Sequence, residues 1–287
     1  PTSTMLGIIG GSGIYEALGF EDGREERVTT PFGDPSAPLE FGEVAGTEIA
    51  FLPRHGRNHE YDPTNVPYRA NIHALKQVGV DRIVATNAVG SLKESLSPRM
   101  LVVPDQLFDR TRDRPRSFFG DGVVVHVSMA EPYCPHLSAQ LSDAGEAADA
   151  DLADGGTYVC IEGPQFSTKA ESEFYRSRGF DVIGMTTVPE AHLAREAELC
   201  YAALTGVTDY DVWHDDEEVS LETVLGHAAA NEESMSTVLE ALATTLDTVD
   251  ELPCDCQQTL EGAINTPAEA IDREIREKLS LLIDDYR

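Results

Sequence analysis

The stretch Leu6-Gly7-Ile8-Ile9-Gly10-Gly11-Ser12-Gly13 runs from a short apolar segment directly into a glycine-rich turn. The apolar segment predicts a buried strand, and the glycines allow backbone N–H groups to be exposed where the strand ends. The Ser12 hydroxyl adds a donor, so the turn could cradle a phosphate. It is not a dinucleotide-binding fingerprint, because Glu16 stands where that motif needs glycine. A purely structural turn is equally open at this point.

Further β-rich runs alternate with helical patterns along the chain. Apolar residues at Tyr68, Ile72 and Leu75 have helical spacing, and residues 190–199 and 219–246 also have helical character. This alternation predicts an α/β fold with a central β-sheet flanked by helices. No repeat or linker divides the sequence, so we expect one domain over residues 1–287. The predicted strands are 6–9, 49–52, 82–86, 101–103, 158–161, 182–185 and 202–208.

The end of the chain predicts a docked helix. Thr266-Pro267-Ala268-Glu269 has the form of a capping box with proline at the first helical position. The residues that follow make one apolar stripe, formed by Ile271, Ile275, Leu279 and Leu282. We therefore expect a helix at about 267–285 and, elsewhere, a long mobile loop at 109–122.

Acidic residues dominate the composition. The 51 Asp and Glu against 21 Lys and Arg give a formal charge of -30, which excludes nucleic acid and anionic membranes as main partners. Concentrated salt would screen such self-repulsion, since the Debye length falls to about 3 Å at 1 M. We therefore hypothesise a halophilic source, which unfolding curves showing no gain in stability between low and molar salt would contradict. The sequence shows no charged leader and no apolar run of about 20 residues, so we expect a cytoplasmic protein.

Five cysteines are scattered along the chain, an odd number that fits no secreted disulfide framework. Cys254-Asp255-Cys256 could be half a metal site, a strained local disulfide or two free thiols. The sequence offers no second ligand pair with the spacing of a zinc site, so we expect no metal and a non-catalytic pair. The other cysteines are Cys134, Cys160 and Cys200.

A cationic run interrupts this acidic background. Arg54-His55-Gly56-Arg57-Asn58-His59 places two guanidiniums and two imidazoles within six residues, directly after a predicted strand. Guanidiniums suit phosphate or carboxylate, although a surface patch paired with the protein's own carboxylates is the alternative. Asn87-Ala88-Val89-Gly90 and Met185-Thr186-Thr187 also follow predicted strands. Ligands of open α/β sheets gather at such ends, so we expect these segments to meet.

A pair of carboxylates follows the last predicted strand. Asp209 and Asp211 are two residues apart and so lie on the same side of an extended segment. Paired acids can recognise hydrogen-bond donors or share a proton, although in so acidic a protein a solvated surface is the alternative. The apolar strand before them and the only tryptophan, Trp213, after them favour a half-buried pocket.

Taken together, the ordered motifs resemble the purine nucleoside phosphorylase superfamily, and within it the members that cleave S-methyl-5'-thioadenosine. The resemblance spans nearly the whole chain and implies a central mixed β-sheet flanked by helices. The segments that carry it are Gly7 to Gly13, Thr30-Pro31-Phe32-Gly33, Arg54-His55-Gly56-Arg57, Asn87-Ala88-Val89-Gly90-Ser91, Met129-Ala130-Glu131-Pro132, Ile161-Glu162-Gly163-Pro164-Gln165-Phe166-Ser167, Met185-Thr186-Thr187-Val188-Pro189-Glu190 and Thr208-Asp209-Tyr210-Asp211.

The resemblance also implies a role for individual residues. Phosphate would be held by Ser12, Arg54, His55, Asn87, Ala88 and Thr186. The nucleoside would be bound by Met185 at the ribose, by Phe166 and Ser167 along the purine, and by Asp209, Tyr210 and Asp211 at the purine edge. The methylthio group would be bordered by Val219, Leu221 and Val224, and His126 would close the pocket of a neighbouring subunit.

The implied reaction is phosphorolysis to adenine and 5-methylthioribose 1-phosphate. Inorganic phosphate is the co-substrate, and neither a metal nor an organic cofactor is implied. Asp209 would protonate or hydrogen-bond purine N7, which requires a raised carboxyl pKa, while Asp211 accepts from the 6-amino group. The implied assembly is a homotrimer or a dimer of trimers.

Three positions depart from the family pattern, and two other functions compete with phosphorolysis. Asn87, Leu221 and Gln165 stand where Thr, Val and Arg are frequent, so adenosine and methylthioinosine are also candidate substrates. A hydrolytic nucleosidase would not need the cations at Arg54 and His55. A nucleoside-binding sensor would not need Asp209 beside the phosphate residues.

Overall fold

One mixed sheet of eleven strands runs through the part of the chain that the computed structural model describes, residues 5–214, 219–246 and 252–286. The strand order is β2-β3-β4-β1-β5-β10-β9-β7, while β11 joins β5 to β6 and β6 also pairs with β8. The strands are β1 (Met5–Gly10), β2 (Glu21–Glu26), β3 (Leu39–Val44), β4 (Thr47–Pro53), β5 (Arg82–Ser91), β6 (Leu101–Val103), β7 (Gln106–Arg110), β8 (Leu152–Asp154), β9 (Thr157–Ile161), β10 (Val182–Gly184) and β11 (Cys200–Asp209).

Helices cover both faces of this sheet. They are α1 (Ser12–Leu18), α2 (Tyr68–Gln77), α3 (Pro135–Ala147), α4 (Lys169–Ser177), α5 (Thr187–Glu196), α6 (Leu221–Thr245) and α7 (Arg273–Ile283). Short 3-10 turns lie at Asp211–Trp213, Asp255–Gln258, Ala268–Ala270 and Asp284–Tyr286. No helix in the described ranges is both long and apolar enough to cross a membrane.

The alternation of side chains along the central strands separates the two largest of the four apolar clusters that the described residues form in the core. In β1, Ile8 faces the cluster built with α1, α3 and α6, whereas Ile9 faces the cluster built with α2, α5 and α7. Val84 and Ile83 of β5 divide in the same way. Because both faces of these strands are buried, their sequences are almost continuously apolar. The predicted α/β class and mixed central sheet are confirmed.

Strands β5 and β11 form the spine of the sheet. They lie parallel in register from Arg82 opposite Cys200 to Val89 opposite Val207, and a bulge then places Asp209 opposite Gly90. On its other edge, β5 pairs first with β1 and then with β10. The strand predicted at 82–86 therefore continues to Ser91, and Asn87 to Gly90 lie within β5 rather than after it. Only the pairing of β5 with β1 ends near Asn87, and β5 itself continues.

The C-terminal helix starts later than predicted. It begins at Arg273, where the Asp272 side chain accepts from the backbone N–H of Glu274. The Thr266 hydroxyl accepts instead from the backbone N–H of Val124, 2.8 Å away, so it serves a tertiary contact and caps no helix. The apolar stripe is buried as predicted, with Leu279 and Leu282 in the core.

The segment predicted to be a long mobile loop is held down by two arginines. Arg114 is buried and donates to the carbonyl oxygens of Met185 and Val188, both at 2.6 Å. Arg116 donates to Asp109 at 2.7 Å. These contacts fix the loop against the segments that carry Met185, contrary to the expectation of mobility.

Two glycines give a matched test of the packing of α6 on β11. A Cβ at Gly206 would lie 2.7 Å from Met235 Cε and 2.8 Å from Asn231 Cβ, whereas a Cβ at Gly226 would meet nothing within 4 Å. We expect Gly206→Ala to destabilise the fold by about 1–3 kcal/mol through overpacking. Gly226→Ala should stabilise α6 by roughly 0.5–1 kcal/mol, because alanine loses less backbone entropy in a helix. Urea unfolding midpoints check this, and equal midpoints for both variants would contradict it.

Candidate active site

The ends of β1 and β4 meet the middle of β5. The backbone N–H of Arg54 donates to the carbonyl oxygen of Gly10 at 3.0 Å, and the Arg54 side chain donates to the carbonyl oxygen of Thr86 at 2.9 Å. Glycine is needed at position 10, since a Cβ there would lie 2.4 Å from the Thr86 hydroxyl oxygen. The glycine-rich turn and the cationic run are thereby joined at one edge, as predicted.

A buried ion pair fixes Arg54. Its Nε and one terminal nitrogen donate to the two Glu190 carboxylate oxygens at 2.8 Å each, and the two side chains are 3% and 0% exposed. Tyr201 donates its hydroxyl to the same carboxylate at 2.8 Å. Burial opposes the charged form of Arg54, but Glu190 raises its pKa above the ordinary value. Bonds to the described residues occupy three of the five guanidinium N–H donors, which leaves two for a ligand.

Glu190 was not predicted as a site residue. The available signal was a carboxylate in the otherwise uncharged segment Val188-Pro189-Glu190-Ala191. Removing one partner of a buried ion pair destabilises the fold by about 3–5 kcal/mol. The charged Arg54 side chain can therefore be buried only because Glu190 pairs with it.

The cationic run divides into a buried and an exposed part. Arg57 is largely exposed and pairs with Glu25 at 2.5 Å and with Glu40 at 2.9 Å. For Arg57 the alternative interpretation, a surface patch paired with the protein's own carboxylates, is therefore correct. For Arg54 it is not, because its partner lies in the core.

His55 is held as a neutral ring. Its Nδ1 lies 2.8 Å from the carbonyl oxygen of Tyr61, to which it donates, and its ring stacks on His59. Burial and the Arg54 charge lower the pKa of His55 to about 4, and the Tyr61 bond only partly offsets this. Near pH 7 its Nε2 is therefore an acceptor, suited to a protonated oxygen of phosphate.

Asn87 and Thr186 join β5 to the end of β10. Asn87 Nδ2 donates to the Thr186 hydroxyl at 2.5 Å, while Asn87 Oδ1 is buried and has no partner among the described residues. Ala88 is the one exposed residue of β5, in a strand that is otherwise buried. The sheet is thus open at the position where the sequence predicted a phosphate site.

Ser12 begins α1, but its side chain lies outside the described residues. A carboxylate lies against the same turn, because a Cβ at Gly13 would be 2.0 Å from Glu232 Oε2. Burial raises the pKa of Glu232, and the Glu16 charge acts in the same direction. Both effects make a negative charge on this carboxyl less favourable.

The two aspartates lie next to this opening and are buried, at 5% and 3% exposure. Asp209 Oδ2 accepts from the Thr208 hydroxyl at 2.7 Å, and its Oδ1 accepts from the backbone N–H of Asp211 at 2.8 Å. A Cβ at Gly90 would lie 2.9 Å from Asp209 Oδ1, so the opposing strand needs glycine there. Both side chains are therefore buried, and the alternative of a solvated surface is wrong for this pair.

The pKa of Asp211 is raised above its ordinary value. Burial raises it, the charges of Asp209 and Glu171 add to the effect, and the Ser172 hydroxyl opposes it. Asp211 has a left-handed backbone with φ of 54°, a conformation that is strained for a non-glycine residue and found at functional sites. Its Oδ2 is buried and has no hydrogen-bond partner among the described residues.

Trp213 anchors the turn that carries Asp211. Its indole N–H donates to the carbonyl oxygen of Ser91 at 2.7 Å, and the Arg176 guanidinium lies 3.5 Å from its ring centroid. Tyr210 stacks on His214, and its hydroxyl donates to the carbonyl oxygen of Glu94 at 3.4 Å. These contacts indicate a packing role for the Tyr210 side chain, although the resemblance implied substrate contact.

Met185, Phe166 and Ser167 lie on segments that border the aspartates. Gly163, with φ of 65°, makes room for Met185, whose Sδ would lie 2.4 Å from a Cβ at that position. Phe166 is 46% exposed, and Ser167 Oγ is buried without a partner among the described residues. Both precede α4, which packs against the Asp211–Trp213 turn.

The predicted specificity residues are not packed into the core. Leu221, at the first turn of α6, is 68% exposed, and Val219 and Val224 are half-buried. His126 is also exposed, and its backbone N–H donates to the carbonyl oxygen of Ala263 at 3.0 Å. The described contacts of His126 thus tie it to the C-terminal segment and not to the aspartates of its own chain.

Arg114 is a second residue that was not predicted. Besides Met185 and Val188, it reaches the carbonyl oxygen of Glu162 at 2.7 Å, and so it holds together two segments that border the pocket. The sequence around Arg114 is polar, and so it did not predict that this side chain is buried. Within the described ranges, one group of side chains has ligand atoms close enough for a metal, and it is formed by four cysteines outside this site.

Comparison with known proteins agrees with this geometry. The model of the phosphorylase superfamily matches residues 5–244. The S-methyl-5'-thioadenosine phosphorylase of Koribacter versatilis is 49% identical over 283 residues, which are 98% of this chain and 96% of that protein.

Solved structures are similar over the same length. A methylthioadenosine phosphorylase sourced from an Antarctic soil metagenomic library has a TM-score of 0.91 at 44% identity and covers 99% of this chain and 100% of its own. A variant of the adenosine/methylthioadenosine phosphorylase from Schistosoma mansoni, in complex with methylthioadenosine, has a TM-score of 0.81 at 33% identity and covers 98% of both chains. Because the superfamily model matches most of the chain and these relatives are similar over their full length, the chain belongs to the phosphorylase superfamily.

Proposed function

We propose that this enzyme catalyses phosphorolysis of S-methyl-5'-thioadenosine to adenine and 5-methylthioribose 1-phosphate. The observation that carries the proposal is the placement of two chemically different groups along β5. Donor groups of Arg54, Asn87 and Thr186 lie beside positions 86 and 87 of β5. The Asp209–Asp211 pair lies beside Gly90, three residues after Asn87 in the same strand. Three residues of strand span about 10 Å, comparable to the distance from an attacking phosphate to the far edge of a purine.

The reaction needs stabilisation at both ends of the bond that breaks. A phosphate oxygen attacks ribose C1', and the electron pair of the C1'–N9 bond leaves with the adenine. Positive charge develops on the ribose and negative charge on the purine. The bound phosphate stabilises the first charge, and a proton or strong hydrogen bond at N7 stabilises the second.

The aspartate pair suits the purine end. Burial raises the pKa of Asp211 and the nearby Asp209 charge adds to the effect, so this site binds a proton more readily than an exposed aspartate does. We propose that Asp209 directs this proton to N7 and that Asp211 Oδ2 accepts from the 6-amino group. The absence of a partner for Oδ2 among the described residues supports this assignment.

The phosphate end needs a cation that does not move. The ion pair with Glu190 holds Arg54 in one orientation, so no reorganisation is required when phosphate binds. We propose that the two remaining guanidinium donors, the Thr186 hydroxyl and the backbone at Ala88 bind phosphate, together with Ser12 and His55. Inorganic phosphate is then a co-substrate, and the proposed reaction uses no other cofactor.

The proposal includes a homotrimer or a dimer of trimers. Leu221 and Phe166 are large apolar residues exposed at the edge of the pocket, and a neighbouring subunit would cover them. The exposed His126 would complete such a neighbour's site. We place the enzyme in the cytoplasm, where its five cysteines would remain reduced.

Adenosine is the second candidate substrate. The Schistosoma mansoni neighbour is named an adenosine/methylthioadenosine phosphorylase, and Leu221, which would border the methylthio group, is 68% exposed on its own subunit. The amino group that Asp211 would read is common to both substrates, so the aspartates alone do not separate them.

A substrate panel with and without phosphate tests the function directly. Methylthioadenosine, adenosine, methylthioinosine and inosine are each assayed for release of free base. We expect adenine from methylthioadenosine only when phosphate is present. Equal release without phosphate would indicate a hydrolytic nucleosidase, and no release under either condition would indicate a nucleoside-binding protein.

The phosphate site is tested by removing the whole ion pair. Arg54→Ala alone would also leave the Glu190 carboxylate buried and unpaired, so we choose the double variant Arg54→Gln/Glu190→Gln. We expect a raised phosphate KM and a loss of about 2–4 kcal/mol in transition-state stabilisation, which lowers kcat/KM roughly 30- to 1000-fold. Arg57→Gln is the matched control from the same cationic run and should keep the wild-type phosphate KM. A double variant with normal phosphate dependence would contradict the assignment.

The aspartates are tested by their preference between purines. A carboxylate accepts from the amino group of adenine but has no donor for the O6 of hypoxanthine, a mismatch that costs roughly 1–3 kcal/mol. We expect at least about a tenfold preference in kcat/KM for methylthioadenosine over methylthioinosine. Asp209→Asn and Asp211→Asn should each lower kcat on the amino substrate and shift the ratio toward the oxo substrate.

Asparagine fits at position 209, because the Thr208 hydroxyl can accept from it while donating to the carbonyl oxygen of Val89, 3.2 Å away. The control is Asp154→Asn, at an exposed position distant in sequence from the two aspartates. It should leave the ratio of kcat/KM between the amino and oxo substrates unchanged. Asparagine variants that retain the full preference for the amino substrate would show that these aspartates do not read the purine.

A further inference from the structure

Four of the five cysteines meet in one cluster away from the candidate active site. The Sγ atoms of Cys134, Cys200, Cys254 and Cys256 all lie within 4.8 Å of one another, and those of Cys200 and Cys254 are 3.5 Å apart. All four are free thiols, and all but the half-buried Cys254 are buried. The sequence suggested only half a metal site at Cys254 and Cys256, and the fold supplies the other two thiols.

Three distant segments supply the cluster. Cys134 precedes α3, and its backbone N–H donates to the carbonyl oxygen of Tyr201 at 2.7 Å, which holds it beside the start of β11. Cys200 is the first residue of β11. Cys254 and Cys256 lie at the Asp255–Gln258 turn. The ligand spacing is therefore long-range, which is why no zinc-site pattern is visible in the sequence.

The arrangement matches the needs of one tetrahedral ion. Zinc binds four thiolates with Zn–S distances of about 2.3 Å, which places the sulfur atoms about 3.8 Å from one another. Four sulfurs already within 4.8 Å need only small side-chain rotations to reach that geometry. Soft thiolate ligands in a closed, tetrahedral set favour Zn²⁺ over Mg²⁺, Ca²⁺ or Mn²⁺.

Two hydrogen-bond donors face sulfur atoms of the cluster. The backbone N–H of Leu137, in the first turn of α3, donates to Cys134 Sγ at 3.4 Å, and Arg195 donates to Cys256 Sγ at 3.7 Å. A helix N-terminus and a guanidinium offset the negative charge that four thiolates leave on a divalent ion.

We propose that Cys134, Cys200, Cys254 and Cys256 bind one Zn²⁺ per chain as a structural site. Binding forms four Zn–S bonds and releases the thiol protons to water, so no oxidant is required. Two disulfides from the same thiols would instead need an acceptor for four electrons. The site clamps the segment around Cys254 to the start of β11 and to α3.

This site is separate from the proposed catalysis. Cys200 and Asp209 lie at opposite ends of β11, and nine residue steps of strand span about 30 Å. Loss of zinc should therefore lower the unfolding temperature while leaving kcat/KM within about threefold in the folded protein. The proposal stands whether or not the substrate assignment does.

The test is the metal content of protein purified under reducing conditions without chelators, measured by inductively coupled plasma mass spectrometry. We expect about one zinc per chain in the wild type. Cys254→Ser/Cys256→Ser should lose it, and Cys160→Ser should retain it, because Cys160 is a buried cysteine outside the cluster. Zinc retained by the double variant, or absent from wild-type protein supplied with zinc, would overturn the proposal.

A second measurement on the wild type does not depend on whether a variant folds. Replacement of zinc by Co²⁺ should give intense sulfur-to-cobalt charge-transfer bands and the visible bands of a tetrahedral ion. Cobalt spectra without sulfur charge transfer would overturn the proposal. So would an intact mass under denaturing, non-reducing conditions that shows two disulfides in metal-free protein.

Discussion

The pairing of β5 with β11 is the constraint on which the rest of the site depends. Both strands are ten residues long and almost wholly buried, so their register is set by the core on both faces. The bulge at the end of this pairing turns Asp209 toward Gly90. Along the other edge of β5, the change of partner from β1 to β10 leaves Ala88 exposed. One strand therefore places the donor cluster and the carboxylates at a fixed separation.

The buried pair of Arg54 and Glu190 shows how an acidic protein can keep an anion site. Exposed cations here are taken up by the protein's own carboxylates, as Arg57 is by Glu25 and Glu40. Arg54 escapes this because a single carboxylate, fixed by Tyr201, takes one side of its guanidinium and leaves two donors. A buried pair of this kind adds little stability compared with apolar packing. Its value lies in holding one cation in one orientation.

Much of the fold was predictable because its central strands are apolar on both sides. The predicted strands at 6–9, 49–52, 101–103 and 158–161 match observed strands to within about two residues. The strands that were missed, β2, β3, β7 and β8, are short or carry charged residues, as in Glu21–Glu26 and Gln106–Arg110. The late start of α7 has a different cause, since Thr266 is used by a contact with Val124 that is distant in sequence.

The sequence by itself determined the α/β class, the acidic character, and the residue types at the strand ends, because these follow from local pattern and composition. It also carried the resemblance that led to the superfamily. Only the tertiary structure decided that Arg54 is buried against Glu190 while Arg57 is not, that burial raises the pKa of Asp211, and that Cys134 and Cys200 join Cys254 and Cys256. The physical reason is that burial, charge pairing and ligand geometry arise between residues far apart in the chain, and spacing along the sequence carries no record of those distances.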